Sequence, residues 1–279
     1  MTSLSVAFSP CPNDTFVFDA WVNGRLPEAP GTVVTFADVD VTNTAAQERQ
    51  FDVVKVSYAA LPWLMDDYEL LSCGGALGRG CGPLVLTRGD RRDLNGARVA
   101  VPGERTTAYL LLRLWAAGQQ PASISVVPFS EIMPAVQAGT YDAGLVIHEA
   151  RFTYPRYGLT ALADLGQWWE SDTGLPIPLG AILVRRDLVE RTGITADAVA
   201  DVVRRSVRHA WAHPGDSAAY ILAHAQEMDV DVQRQHIDLY VNNFTEDLGA
   251  EGFAAIDGLL GRAAEAGLVP SWRALTHSG

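Results

Sequence analysis

The chain lacks a long hydrophobic run: no stretch approaches the ~20 consecutive apolar residues that a membrane-spanning helix needs, so no membrane partner is expected. Cysteine is scarce, with three in 279 residues. An odd number without CxxC spacing or a Cys/His cluster excludes a disulfide framework and the common zinc sites, so no metal is expected. Cys11, Cys73 and Cys81 read as small buried thiols. No basic segment and no long apolar core precede or form the run Leu4 to Phe8, so a secretory signal is not expected and the location reads as cytoplasmic. Positive charge is also short, Lys+Arg 21 against Asp+Glu 33, a net charge of −12. Such a surface repels polyphosphate and argues against nucleic acid as a partner. Residues 74–80 are glycine-rich but match neither a P-loop nor a dinucleotide fingerprint, and His209-Ala-Trp-Ala-His213 lacks the glutamate of a zinc-protease helix. What remains, at 48% hydrophobic and 19% charged, is a compact chain with apolar material for two cores.

Short apolar runs alternate with helical patterns from the start. Residues 4–8, 32–36, 52–57, 69–72 and 83–87 read as strands, with a helix from Thr15 to Asn23 capped by Asp14 and another opened by Thr42 or Asn43. Beyond the charged turn 88–93, strands at 98–102, 124–127 and 142–147 alternate with helices that begin after Thr107 and at Ser130. A stiff segment, 174–178, leads into a strand at 181–184, and helices are expected over 196–212, 217–226, 232–242 and 247–266. Strands alternating with helices imply parallel sheets. The fold class is therefore α/β. Two connections divide it into a large discontinuous lobe, 1–88 and 180–279, and a small inserted lobe, 89–179. Two crossings of a hinge give the two-lobed topology of type II periplasmic-binding-protein folds, in which a ligand lies between lobes at the carboxyl ends of the strands.

Four strand-end segments converge on that cleft. The turn from Ser9 to Thr15, including Asn13 and Asp14, offers helix N-terminal amides to an anion, or is simply a capped turn. Lys55, followed by Val56 and Ser57, is a charge in an apolar strand, which a ligand carboxylate or an Asp on a neighbouring strand would balance. Thr106, Thr107 and Ala108 follow a strand and pair hydroxyls with free amides, suited to a carboxylate or to plain capping. His148 ends a buried strand where the cleft opens, with Glu149 and Arg151 just beyond; an imidazole there suits proton transfer near neutrality. His209, His213, His224, His236 and His277 read as structural or solvated, and Trp168-Trp169 as packing.

Four blocks carry a family resemblance: Ser9-Pro10-Cys11-Pro12-Asn13-Asp14-Thr15-Phe16, Lys55-Val56-Ser57-Tyr58-Ala59-Ala60, the glycine-rich 74–80, and the long block from His148 to Leu159. Together they resemble the 1,4-dihydroxy-6-naphthoate synthases of the futalosine route to menaquinone. The resemblance runs through Leu175-Pro176-Ile177-Pro178 to Tyr240-Val241-Asn242 and is loose in the helical last third. It implies a carbon–carbon lyase without an organic cofactor, acting on cyclic dehypoxanthinyl futalosine to release 1,4-dihydroxy-6-naphthoate and dihydroxyacetone. It further implies His148 as general base and substrate contacts at Lys55-Val56-Ser57 and Thr106-Thr107-Ala108. Lys55, Arg79 and backbone amides at Thr107 would hold the aryl carboxylate or developing enolate charge, with Glu149 or a backbone carbonyl orienting the imidazole. The expected partner is a small anionic molecule. A homodimer is the one assembly considered, and a silent cytosolic organic-acid-binding protein is the alternative function.

Overall fold

The computed structural model of the protein describes residues 3–89, 91–225 and 228–275. The chain opens with β1 (Ser3–Phe8), α1 (Pro12–Val22), β2 (Gly31–Phe36), α2 (Val39–Gln47), β3 (Val53–Ser57), β4 (Tyr68–Leu70) and β5 (Ala76–Gly78). It continues through β6 (Leu84–Thr87), β7 (Arg98–Val101), α3 (Thr107–Trp115), β8 (Ser123–Val126), α4 (Phe129–Gln137), β9 (Ala143–Val146), α5 (Ala150–Thr153), β10 (Thr160–Asp164) and α6 (Leu165–Thr173). The return strand β11 (Ile177–Arg185) is followed by α7 (Leu188–Thr192), α8 (Ala196–Ala212), α9 (Ala218–His224), α10 (Val230–Tyr240), α11 (Asn243–Glu246) and α12 (Gly249–Glu265).

The strands form two sheets. The first has the order β2-β1-β3-β11-β4 with β5 on β11, and the second β10-β6-β9-β7-β8. Parallel pairing holds for β1 with β2 and β3, and for β7 with β8 and β9. The expectation of wholly parallel sheets is corrected at the returns. β11 runs antiparallel to β3, β4 and β5, and β6 antiparallel to β9 and β10. Parallel neighbours are laid down by strand–helix–strand crossovers within one sheet; β11 returns to the first sheet after the second has been built and β6 is the first strand into the second, so neither arises from such a crossover.

Leu84–Thr87 belongs to the second sheet, so the first crossing lies before β6 rather than in the charged turn 88–97. The first crossing passes tightly against the start of α6. A Cβ on Gly82 would stand 2.2 Å from the backbone of Gly166, a distance no side chain tolerates. Trp169, fully buried, donates its indole N–H to the Pro176 carbonyl there and serves as packing.

Several boundaries differ from the sequence reading for local reasons. Pro12, with its φ already suited to a helix, starts α1 with Cys11 at the cap, so Asp14 lies inside the first turn and caps nothing. Thr42 and Asn43 sit within α2, which begins at Val39. Part of the glycine-rich loop is β5, and β10 pairs along β6 although its pattern had not suggested a strand. The last expected helix, 247–266, is α12 from Gly249, and a further single-turn helix, α11, capped by Asn242, precedes it. The expected helix end at Gln226 and the tail residue His277 lie outside the described residues.

Two apolar layers fix these elements. Leu4, Val6 and Phe8 of β1 pack with Phe18 and Trp21 of α1 and with Val199, Val203 and Val207 of α8. Phe8 stacks on Phe18 at 4.2 Å between centroids. In the second sheet Val99 and Val101 meet Leu111 of α3, while Ile132 and Val136 of α4 cover Ala100 and Val146. No described helix is long and apolar enough to cross a membrane.

Candidate active site

The carboxyl ends of β1, β3 and β9, the first turn of α3 and the start of β11 surround a cleft of about 660 Å³. Both sheets contribute walls, as the strand-end rule requires. Ser9, Asn13, Asp14, Lys55, Val56, Ser57, Thr106, Thr107, Ala108 and His148 all reach it.

Lys55 is the single lysine of the chain, all other basic side chains among the 21 being arginine. It is 5% exposed and points from β3 to the Asp14 carboxylate at 2.9 Å. Its ammonium also donates to the Gly74 carbonyl at 2.8 Å. The counter-charge is therefore within the protein, on α1 rather than on a neighbouring strand. Asp14 accepts further bonds from Ser9 Oγ at 2.8 Å and Asn13 Nδ2 at 2.9 Å, which satisfies a carboxylate taken out of water. An ammonium has three donors, so two bonds leave one N–H for the cleft. A Cβ on Gly180 of β11 would stand 3.1 Å from Lys55 Cε, so the lysine stem fills the space beside that glycine.

Ser57 receives a side chain from α2: its N–H donates to Asn43 Oδ1 at 2.8 Å and its Oγ accepts from Asn43 Nδ2 at 3.2 Å. The hydroxyls of α3 are committed as well. Thr106 Oγ1 donates to the Gly103 carbonyl and caps the helix by accepting from the Tyr109 N–H. Thr107 Oγ1 donates to the Leu179 carbonyl at 2.9 Å and accepts from the Ala59 N–H at 3.2 Å, tying α3 to the first sheet. What α3 presents to an anion is thus its first-turn amides at Thr107 and Ala108, with the positive end of the helix dipole, and not a pair of free hydroxyls.

His148 stands two residues beyond β9 with φ +51°. A left-handed residue other than glycine costs about 1–2 kcal/mol, which the surrounding turn must hold. Its ring meets Phe129 edge-on at 5.6 Å and lies 14° from parallel to the His236 ring at 5.9 Å. Among the described residues no hydrogen bond reaches either His148 nitrogen. His236, on α10, is fully buried, and its Nε2 lies 2.9 Å from Asn13 Oδ1. Burial first, and the neighbouring His148 second, hold its pKa well below the ordinary imidazole value. Glu149 does not orient the His148 ring; its Oε2 faces His236 Nδ1 at 4.0 Å, beyond hydrogen-bonding distance.

Three anticipated contacts are absent from the cleft. Thr15 is fully buried, its hydroxyl donating back to the Cys11 and Pro12 carbonyls within α1. Arg79 follows β5 outward to Glu251 of α12 at 2.8 Å and to the Gly174 carbonyl. Arg151 is bound by Asp164 at 2.5 Å and by the Gly82 carbonyl at 2.8 Å, which braces the crossing point. Sequence reasoning missed His236 and Tyr240. The signal was present: Val232, His236 and Tyr240 recur every four residues on the buried face of α10, and a histidine within such a stripe needs a partner. Among the described residues no group of three His, Cys, Asp or Glu side chains is arranged to hold a metal ion.

Residues 4–265 match the family model described as menaquinone biosynthesis. The 1,4-dihydroxy-6-naphtoate synthase of Streptomyces coelicolor is 62% identical over 273 residues, covering 96% of this chain and 95% of that protein. The chain belongs to this menaquinone-biosynthesis family. The Thermus thermophilus protein of the same name is 49% identical over 99% of both chains. By that membership the chain is an enzyme. The periplasmic aliphatic sulphonate binding protein of Escherichia coli superposes with a TM-score of 0.66 at 16% identity, covering 99% of this chain and 94% of that one. This last likeness shows the fold alone, that of periplasmic binding proteins.

Proposed function

We propose that the chain is a carbon–carbon lyase that converts cyclic dehypoxanthinyl futalosine into 1,4-dihydroxy-6-naphthoate and dihydroxyacetone, with His148 as the general base. The observation that carries this reading is a single wall-to-wall arrangement. Just past the end of β9, an imidazole to which no described residue hydrogen-bonds shares the cleft with a buried ammonium and the amides of a helix N-terminus. A site built only to hold an anion needs the ammonium and the amides but has no use for the imidazole.

In this reading Lys55's remaining N–H and the amides of Thr107 and Ala108 hold the aryl carboxylate or the negative charge that develops on oxygen. They are fixed before substrate arrives, so no reorganisation is needed as charge builds. His148 takes the first proton and returns one later, and aromatisation of the naphthoate ring draws the bond cleavages forward. The apolar remainder of the wall, from Val39, Ile147 and Leu179, excludes water from the reacting centre. Members of a biosynthetic family work where their substrates are made, and a cytoplasmic location belongs to this proposal.

The test is direct. Purified protein is incubated with cyclic dehypoxanthinyl futalosine, and chromatography follows 1,4-dihydroxy-6-naphthoate and dihydroxyacetone. Equimolar appearance of both supports the reading. Tight binding of the compound without turnover would replace it with an organic-acid-binding protein that uses the same cleft.

A further inference from the structure

Among the described residues the proposed base has no hydrogen bond to set its ring, and a base that can spin about its side-chain bonds is poorly poised for proton transfer. Two rings enclose it. Phe129 presents an edge, and His236 lies nearly parallel at 5.9 Å, within the range of offset stacking. His236 is itself locked. Asn13 Nδ2 donates to Asp14 Oδ1 at 2.9 Å, which turns Asn13 Oδ1 toward His236 and requires the proton of that imidazole to sit on Nε2. Asp14 is in turn held by Lys55. A continuous line therefore runs from the ammonium on one wall, through Asp14, Asn13 and His236, to the flat face of His148 on the other.

We infer that His236 is a positioning residue for the base, setting the plane of the His148 ring by stacking and taking its own orientation from Asn13 and the Asp14–Lys55 pair. The usual orienting partner of a catalytic histidine is a hydrogen-bonded carboxylate, and here Glu149 is too far from any imidazole nitrogen to serve. His236 stays neutral in its dry site, so it sets no second positive charge against His148 when that ring takes up a proton. Tyr240, one turn further along α10 and itself on the cleft wall, packs against the His236 ring at 4.6 Å between centroids.

This inference rests on His148 being the base, and the test separates the two. Three variants are compared with wild type for kcat, KM and melting temperature. His236→Gln keeps a donor for Asn13 but removes the ring; His236→Phe keeps a ring but leaves the Asn13 oxygen unpaired; His236→Ala loses both. Positioning predicts that His236→Ala and His236→Gln lose kcat on the order of 10- to 100-fold. Their KM stays within about threefold of wild type, since no ground-state contact is lost. His236→Phe recovers most of the lost kcat although it melts below His236→Gln. Activity and stability then rank in opposite orders, which a merely structural role cannot produce. An activity order that follows the melting order overturns the inference, as does a wild-type kcat in His236→Ala. The His148 Cε1–H resonance supplies a readout that needs no substrate: it moves in His236→Gln and His236→Ala and stays near its wild-type position in His236→Phe. An unmoved resonance in all three overturns the positioning role. Full turnover in His148→Ala, by contrast, would remove the base assignment itself and this inference with it.

Discussion

The two walls of the cleft are built on opposite plans. On the first-sheet side the charged and hydroxyl groups are held within the protein: Lys55 holds Asp14 and Gly74, Asp14 holds Ser9 and Asn13, and Ser57 holds Asn43. On the second-sheet side His148 is strained in its backbone and, among the described residues, unbonded at its ring. Saturation makes a rigid electrostatic surface, while an unbonded imidazole keeps its lone pair for a substrate proton. In the proposed reaction the difference separates charge holding from proton transfer within one pocket, and each wall is expected to respond to substitution in its own way.

The largest effect on stability is expected from the saturated wall. Lys55→Met leaves the Asp14 carboxylate buried without its cation, and breaking such a pair costs about 3–5 kcal/mol. Denaturant unfolding of Lys55→Met, Asp14→Asn and the double variant measures it. The double variant should be closer to wild type than Lys55→Met alone, because it strands no charge. Additive losses would mean that the two side chains act independently. On the strained wall the sign reverses. His148→Gly relieves the left-handed backbone and should raise stability by about 1 kcal/mol while abolishing turnover. A destabilised His148→Gly would show that the ring's packing outweighs its backbone strain.

A smaller effect sharpens the account of the saturated side. Asp52, just before β3, is buried against ionisation, yet hydrogen bonds from Ser5 and from Arg191 outweigh that and hold its carboxyl below the usual carboxylate range. A depressed folded pKa means that the unfolded chain binds more protons in that window. The stabilisation is complete above about pH 4 and is lost as pH falls through the folded value. Acid unfolding of Asp52→Asn should therefore show a flatter leg below pH 4 than wild type. Smallest of all is Arg79→Ala. Its ion pair with Glu251 is at the surface, outside the cleft, and should change stability by no more than about 1 kcal/mol and leave turnover intact. A large loss of turnover in that variant would restore Arg79 to the substrate site.

The fold class, the two sheets and most strand positions were legible because buried β runs and turn residues are local signals. Strand direction was not: β11 and β6 carry the same apolar pattern whether parallel or antiparallel, and only the returning path of the chain decides. At the site, position was legible and partnership was not. Lys55, Thr106, Thr107 and His148 fall at strand ends, which can be counted along the chain. That Lys55 is already neutralised by Asp14, that the Thr107 hydroxyl is spent on Leu179, and that Arg79 and Arg151 turn away to Glu251 and Asp164 are properties of three-dimensional neighbours. His236 lies 88 residues after His148 in the chain and touches it only across the assembled cleft.

The division of labour between the walls is tested most directly by measuring product binding and turnover together in His148→Ala. The account predicts that 1,4-dihydroxy-6-naphthoate binds with a Kd within about threefold of wild type, since Lys55 and the α3 amides are untouched, while kcat falls about 10²- to 10⁴-fold. Turnover that persists at the wild-type rate, or binding lost in step with turnover, would contradict it.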